Sequence, residues 1–117
     1  MPKRIVIAED ESIIAEMYAK FIKELGHEVV GITDTASETI EKVCTTKPDI
    51  VFLDISMDYK TAGIDACRAI KQQCPEIKAY FVTAYGKEVY ESELEGILYD
   101  GYIDKLYFLK ELKNILH

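Results

Sequence analysis

A chain of 117 residues has room for one ordinary hydrophobic core without metal or disulfide staples, and no room for a second domain. Its 14 lysines and arginines stand against 21 aspartates and glutamates, and the formal net charge of −7 argues against broad electrostatic attachment to nucleic acid or to an anionic membrane. Cys44, Cys67 and Cys74 have no close metal-ligand spacing, so they argue against zinc or a disulfide framework and read as reduced, partly buried thiols. The start Met1-Pro2-Lys3-Arg4 leads into an apolar run too short for a signal-peptide core or a membrane span, and a cytoplasmic location is expected.

The first run, Arg4–Ala8, predicts a strand and ends in Glu9-Asp10-Glu11. Ser12–Leu25 follows as a helix, with Ile13, Ile14, Met17, Tyr18, Phe21, Ile22 and Leu25 on one broad face and Gly26 as its stop. A strand at Glu28–Ile32 leads to a helix over Thr35–Thr46, with Thr33, Asp34 and Thr35 as capping candidates and Pro48 beyond its end. Ile50–Asp54 is a continuous apolar run closed by an acid, the pattern of a central parallel strand covered on both faces. A helix over Ala62–Gln73, with Gly63 at its mouth, precedes a strand at Lys78–Thr83. Lys87–Leu98 has Val89, Leu94, Ile97 and Leu98 at helical spacing among four glutamates, and predicts a weak helix with a solvated face. Gly101–Asp104 reads as the fifth strand and Phe108–Leu116 as the closing helix. The alternation predicts one α/β domain over residues 1–117, a doubly wound (βα)₅ flavodoxin-like three-layer sandwich.

In a parallel sheet all strands end on one side, so Glu9, Asp10, Asp54, Thr83 and Lys105 all fall on that edge. If the strand order is 2-1-3-4-5, the three acids share one crevice at the switch point. Carboxylates crowded in this way take up protons or hold a cation, and an all-oxygen set suits magnesium. Lys105 adds a positive charge and Thr83 a hydroxyl, which completes the parts needed to neutralise a phosphoryl group in transfer. Asp54 is then a candidate nucleophile able to form an acyl phosphate. Taken singly, each residue has a plainer reading: acids before Ser12 offset a helix dipole, Asp54 starts a turn, Thr83 belongs to a strand and Lys105 to the surface.

The segments IVIAEDE, DIVFLDISM, AGIDA, YFVTAY and GYIDK resemble, in order and interval, the receiver domain of two-component response regulators. Tyr102 and Lys105 follow Thr83 by nineteen and twenty-two residues, as in that family. The resemblance implies that Asp54 is the phosphoacceptor and that Glu9 and Asp10, with Asp54 and the Ser56 backbone carbonyl, organise Mg²⁺. It implies that Thr83 and Lys105 bind phosphoryl oxygens, that Thr83 and Tyr102 form the switch, and that Ser56 and Tyr85 tune dephosphorylation. The implied donor is a sensor histidine kinase or a histidine phosphotransfer protein. The implied output is a downstream effector or output domain contacted through the Tyr85–Leu116 face, with homodimerisation on phosphorylation a further option.

The sequence departs from the family pattern at Glu9, where aspartate is common, and at Leu106, where proline usually follows the lysine and the peptide is usually cis. The loop Met57–Gly63 is also longer than its commonest form, and Asp58 is a candidate to flank the site, or a solvated loop acid. Such a domain is not a turnover enzyme on an external substrate. A haloacid-dehalogenase-type phosphatase would need a D-x-D-x-T motif that Glu9-Asp10-Glu11-Ser12-Ile13 lacks, and a flavin-binding protein would not place acids in a phosphate cradle. A pseudo-receiver that binds partners without phosphorylation is the remaining alternative.

Overall fold

Alternation along each strand decides which helices its side chains meet. In the computed structural model, which describes residues 2–116, the first strand, β1 (Arg4–Ala8), sends Ile5 and Ile7 into one apolar layer and Val6 and Ala8 into the other. The same split recurs in β3 (Ile50–Leu53), where Ile50 and Phe52 face one way and Val51 and Leu53 the other. Both strands are buried on both faces, so they read as unbroken apolar runs. With β2 (Glu28–Thr33), β4 (Lys78–Thr83) and β5 (Gly101–Asp104) they form one five-stranded parallel sheet in the order β2-β1-β3-β4-β5.

Helices cover both faces. The layer containing Ile5, Ile7 and Phe52 packs on α1 (Ser12–Glu24) and on α5 (Phe108–Ile115), with Tyr18, Ile22, Phe108 and Leu112 at its centre. Phe108 sits edge-on between Tyr18, at 4.5 Å, and Phe52, at 4.9 Å. The opposite layer packs on α2 (Ala36–Thr46) and α3 (Ala62–Gln73) through Val43, Ile64, Cys67 and Ile70. Thr35 caps α2, its Oγ1 accepting from the Glu38 amide at 3.1 Å.

The expected doubly wound sandwich and strand order are therefore present, with small shifts at element ends. β2 runs one residue further than expected, to Thr33, and β3 stops one residue earlier, so that Asp54 lies just past it. A larger difference concerns Lys87–Leu98. It forms a 3₁₀ turn, Lys87–Tyr90, and a single helical turn, α4 (Glu91–Leu94), instead of a three-turn helix. Gly96 takes φ +77°, outside the right-handed helical region, and the chain beyond it leaves the helical path. Glu88, Glu91, Glu93 and Glu95 repel one another along the short segment, and Val89 and Leu98 of the expected stripe are exposed. Packing cannot then repay the cost of helix nucleation.

Among the described residues no helix is long and apolar enough to cross a membrane. All three cysteines are free, with Cys67 and Cys74 buried and Cys44 half-buried.

Candidate functional site

Ladder hydrogen bonds that continue past the strand ends set the site's backbone. The Glu9 amide donates to Thr33 O and the Asp54 amide to Ala8 O, each at 2.9 Å, which holds the residues after β1 and β3 side by side. Glu9, Asp10 and Asp54 consequently present carboxylate oxygens that all lie within 4.8 Å of one another. Glu9 and Asp54 are only 3% and 8% exposed, whereas Asp10 opens to solvent. Two buried like charges at that distance need a counter-charge, and Lys105, just past β5, supplies it. Its Nζ lies 2.8 Å from Glu9 Oε1 and 3.0 Å from Asp54 Oδ2.

The same crowding governs protonation. Burial pushes the Asp54 carboxyl up to about 6, and the charges of Glu9 and Asp10 add to this while Lys105 works against it. Burial likewise raises Asp10, helped by its hydrogen bond with Glu9 and the Glu9 charge. For Lys105 burial disfavours the ammonium, but the hydrogen bonds to Glu9 and Asp54 outweigh it and the group is held above the ordinary lysine range.

Thr83 ends β4 at the floor of the crevice, 2% exposed, and its Oγ1 accepts from the Tyr85 amide at 3.3 Å. Tyr102 connects to it through the same residue, donating its hydroxyl to the Tyr85 carbonyl at 2.8 Å. Tyr85 itself is exposed, as is Ser56 on the loop after β3. Sequence reasoning thus placed Glu9, Asp10, Asp54, Thr83 and Lys105 on one edge, and the structure brings them together there. Ser56, Tyr85 and Tyr102 border the same region. The Lys105–Leu106 bond is not cis, nor is any peptide bond among the described residues, and Lys105 reaches both acids all the same. Asp58 does not flank the crevice; its Oδ1 accepts from the Ala36 amide at 3.1 Å and caps α2.

The N-terminal acids also keep part of their plainer role. Glu9 Oε2 accepts from the Glu11 amide at 3.1 Å, at the entrance of α1, so one side chain serves both the helix end and the crevice.

Two residues of the site escaped sequence reasoning. Gly63 donates its amide to Ile55 O at 2.8 Å, and a Cβ there would lie 2.1 Å from the Asp54 carbonyl oxygen, so its lack of a side chain lets α3 dock against the Asp54 loop. Tyr90, within the Tyr85–Leu116 face, is 2% exposed, with its ring centroid 6.3 Å from that of Tyr85. The segment AGIDA carried the first signal; one tyrosine among eight carried none.

Comparison with known proteins decides the family. The model of the response regulator receiver domain matches residues 5–117. The chain belongs to this family. Curated relatives of this receiver domain include the chemotaxis protein CheY of Thermotoga maritima, 35% identical over 88 residues that cover 75% of this chain and 72% of that protein. The transcriptional regulatory protein PdtaR of Mycobacterium tuberculosis is 39% identical over 70 residues, covering 60% of this chain but only 34% of PdtaR. A solved LuxR-family DNA-binding response regulator from Staphylococcus aureus superposes with a TM-score of 0.85 at 26% identity, covering 96% of this chain and 93% of that one. As a receiver domain the chain is a signalling module of a response regulator.

Proposed function

We propose that residues 1–117 act as one phosphoacceptor unit of a two-component system, with Asp54 as the residue modified. The observation that carries this is the Lys105 ammonium bridging Glu9 and Asp54, which gathers nucleophile, counter-charge and acidic pair in one crevice. An Asp54 carboxylate oxygen would attack the phosphorus of a phosphohistidine on a sensor kinase or phosphotransfer protein. The phosphorus–nitrogen bond breaks and the imidazole leaves with its electron pair. Lys105 would move from Oδ2 of Asp54 onto a phosphoryl oxygen, and Thr83 would donate its hydroxyl to another.

Glu9, Asp10 and Asp54 form a hard-oxygen set, and the exposure of Asp10 leaves room for water ligands, which fits Mg²⁺. These three residues, with the Ser56 carbonyl, would hold the ion, which supplies charge neutralisation as the phosphoryl group arrives. Water then hydrolyses the acyl phosphate under the influence of Ser56 and Tyr85, and the domain resets without turning over an external substrate.

Drawing Thr83 toward the phosphoryl group would free the space that Tyr102 enters, shifting the population of the segment from β4 to α5. Tyr85, Val89, Leu98 and Tyr107 are exposed there and offer a face to an effector or output domain in the cytoplasm.

Incubation with acetyl phosphate and Mg²⁺, followed by intact-mass measurement, tests the reading. A single phosphoryl adduct on the wild type, absent from Asp54→Asn and from samples with chelator, is expected. An adduct that survives Asp54→Asn refutes Asp54 as the acceptor. Absence of any adduct favours the pseudo-receiver.

A further inference from the structure

At the opposite end of the sheet from the crevice, the last turns of α2 and α3 bring two cysteines together. Cys44 is half-buried near the end of α2, and Cys74 is the C-terminal cap of α3, 2% exposed. Cys44 Sγ donates to Oε1 of Gln73, the residue next to Cys74, at 3.1 Å, so the two cysteines face one gap between the helix ends. The Lys47 ammonium completes the group, 3.4 Å from Cys74 Sγ.

The position of Lys47 is not what local preference would choose. It ends α2 at φ +52°, the left-handed conformation that glycine or asparagine usually occupies at a helix C-terminus. Arg4 holds that turn, its Nη1 donating to Thr46 O at 2.6 Å and to Lys47 O at 3.0 Å. A lysine held in a glycine conformation, with its ammonium on a buried sulfur, places a positive charge where a thiolate gains from one.

We propose that Cys44 and Cys74 form a reversible redox pair that hydroperoxides oxidise to a disulfide linking α2 to α3. The half-buried Cys44 sulfur meets the oxidant. As thiolate it attacks a peroxide oxygen, the O–O bond breaks, and a sulfenic acid forms with release of water from hydrogen peroxide. The Cys74 sulfur, with the Lys47 ammonium 3.4 Å away, then gives up its proton and attacks the Cys44 sulfur; the S–O bond breaks and the hydroxyl leaves with that proton as a second water. Two thiols and one hydrogen peroxide thus give one disulfide and two waters. Burial, and the Cys74 thiol beside it, push Cys44 up from the ordinary thiol range, so the first step is slow at neutral pH and accelerates as pH rises. The pair responds to sustained oxidant rather than to traces. A thiol reductant restores it.

Cys67, buried under the Leu98 carbonyl, stays outside the pair and serves as an internal reference. The reduced chain is treated with a modest excess of hydrogen peroxide, denatured, alkylated with N-ethylmaleimide, and read by intact mass and peptide mapping. The wild type is expected to pass from three alkylated thiols to one, at Cys67, with a Cys44–Cys74 linked peptide and a raised melting temperature that dithiothreitol reverses. Cys44→Ser and Cys74→Ser each abolish the linked peptide, and Lys47→Met slows its formation several-fold. Oxidised Cys44 without the linked peptide, a link to Cys67, or a link only between two chains overturns the proposal. No change in alkylation at any peroxide excess overturns it equally. Phosphorylation of Asp54 plays no part in any arm.

Discussion

A methyl group at position 63 would sit 2.1 Å from the Asp54 carbonyl oxygen and 2.8 Å from the Ile55 Cα, and backbone cannot yield as a flexible side chain does. Gly63→Ala is therefore expected to destabilise the fold by about 2 kcal/mol in urea titrations, and to slow acetyl-phosphate labelling because Asp54 itself must shift. Asp54 invites the opposite experiment. Its carboxyl rises from an ordinary 3.8 to about 6 on folding, so the folded state binds more protons between those values. The stability this gives is fully present below the unfolded pKa and is lost as pH climbs through about 6. Asp54→Asn removes that loss and should stabilise the metal-free protein at about pH 7 by about 1–3 kcal/mol, with little effect at about pH 4, as measured by denaturant unfolding. A wild type as stable as the variant at neutral pH would refute the strained-acid account. Asp54 was legible in the sequence because an acid closing an apolar run is conspicuous, and Lys105 because its interval from Thr83 matched a family. Gly63 was not, because the atom it avoids is backbone contributed by a residue nine positions earlier. The partnership of Cys44 with Cys74 was hidden for a related reason: they are thirty positions apart in sequence, with β3 and α3 between them, and only helix packing joins them.

At the level of elements, strands and long amphipathic helices could be read from periodicity, since an apolar stripe and a buried face are one fact seen twice. Asp58 shows where this fails. Its side chain caps α2 from a loop twenty-two positions downstream, a contact without local signature. The segment after β4 shows a second failure, in which spacing suggested a helix that Gly96 and four glutamates prevent. The consequence is dynamic. Amides of residues 87–98 have one short helical turn and little burial to protect them, whereas α3 buries Ile64, Cys67 and Ile70. Hydrogen exchange should accordingly run at least about 100-fold faster across 87–98 than across α3, a gap of roughly 3 kcal/mol in opening free energy. Equal protection in the two segments would contradict the short α4 described above. A low-stability segment next to Thr83 is also what a switch requires, because ordering or moving it costs little.

For the whole molecule, parallel topology matters most: it brings the ends of β1, β3, β4 and β5 to one edge and gathers the site's acids from stretches forty-four residues apart. Net charge of −7 adds a general attraction for cations, but attraction at large is not a site, and the two can be separated. A cation held by Glu9, Asp10 and Asp54 binds the folded chain and not the unfolded one, so it stabilises by RT ln(1 + [Mg²⁺]/Kd), or about 1.4 kcal/mol at ten times Kd. For a domain of this size that is a rise of several degrees in melting temperature. Protons compete for the same oxygens. Because Asp54 titrates near 6 and Asp10 is also raised, the shift should be full at about pH 7.5 and much reduced at about pH 5, where a proton must leave before the ion can bind. Lys105 competes too, since its ammonium already occupies Glu9 Oε1 and Asp54 Oδ2. Lys105→Met should then bind Mg²⁺ more tightly while losing stability in its absence, and Asp54→Asn should lose most of the shift. A melting-temperature rise that persists unchanged in Asp54→Asn, or that potassium reproduces at equal ionic strength, would mean the ion answers to net charge and not to the crevice.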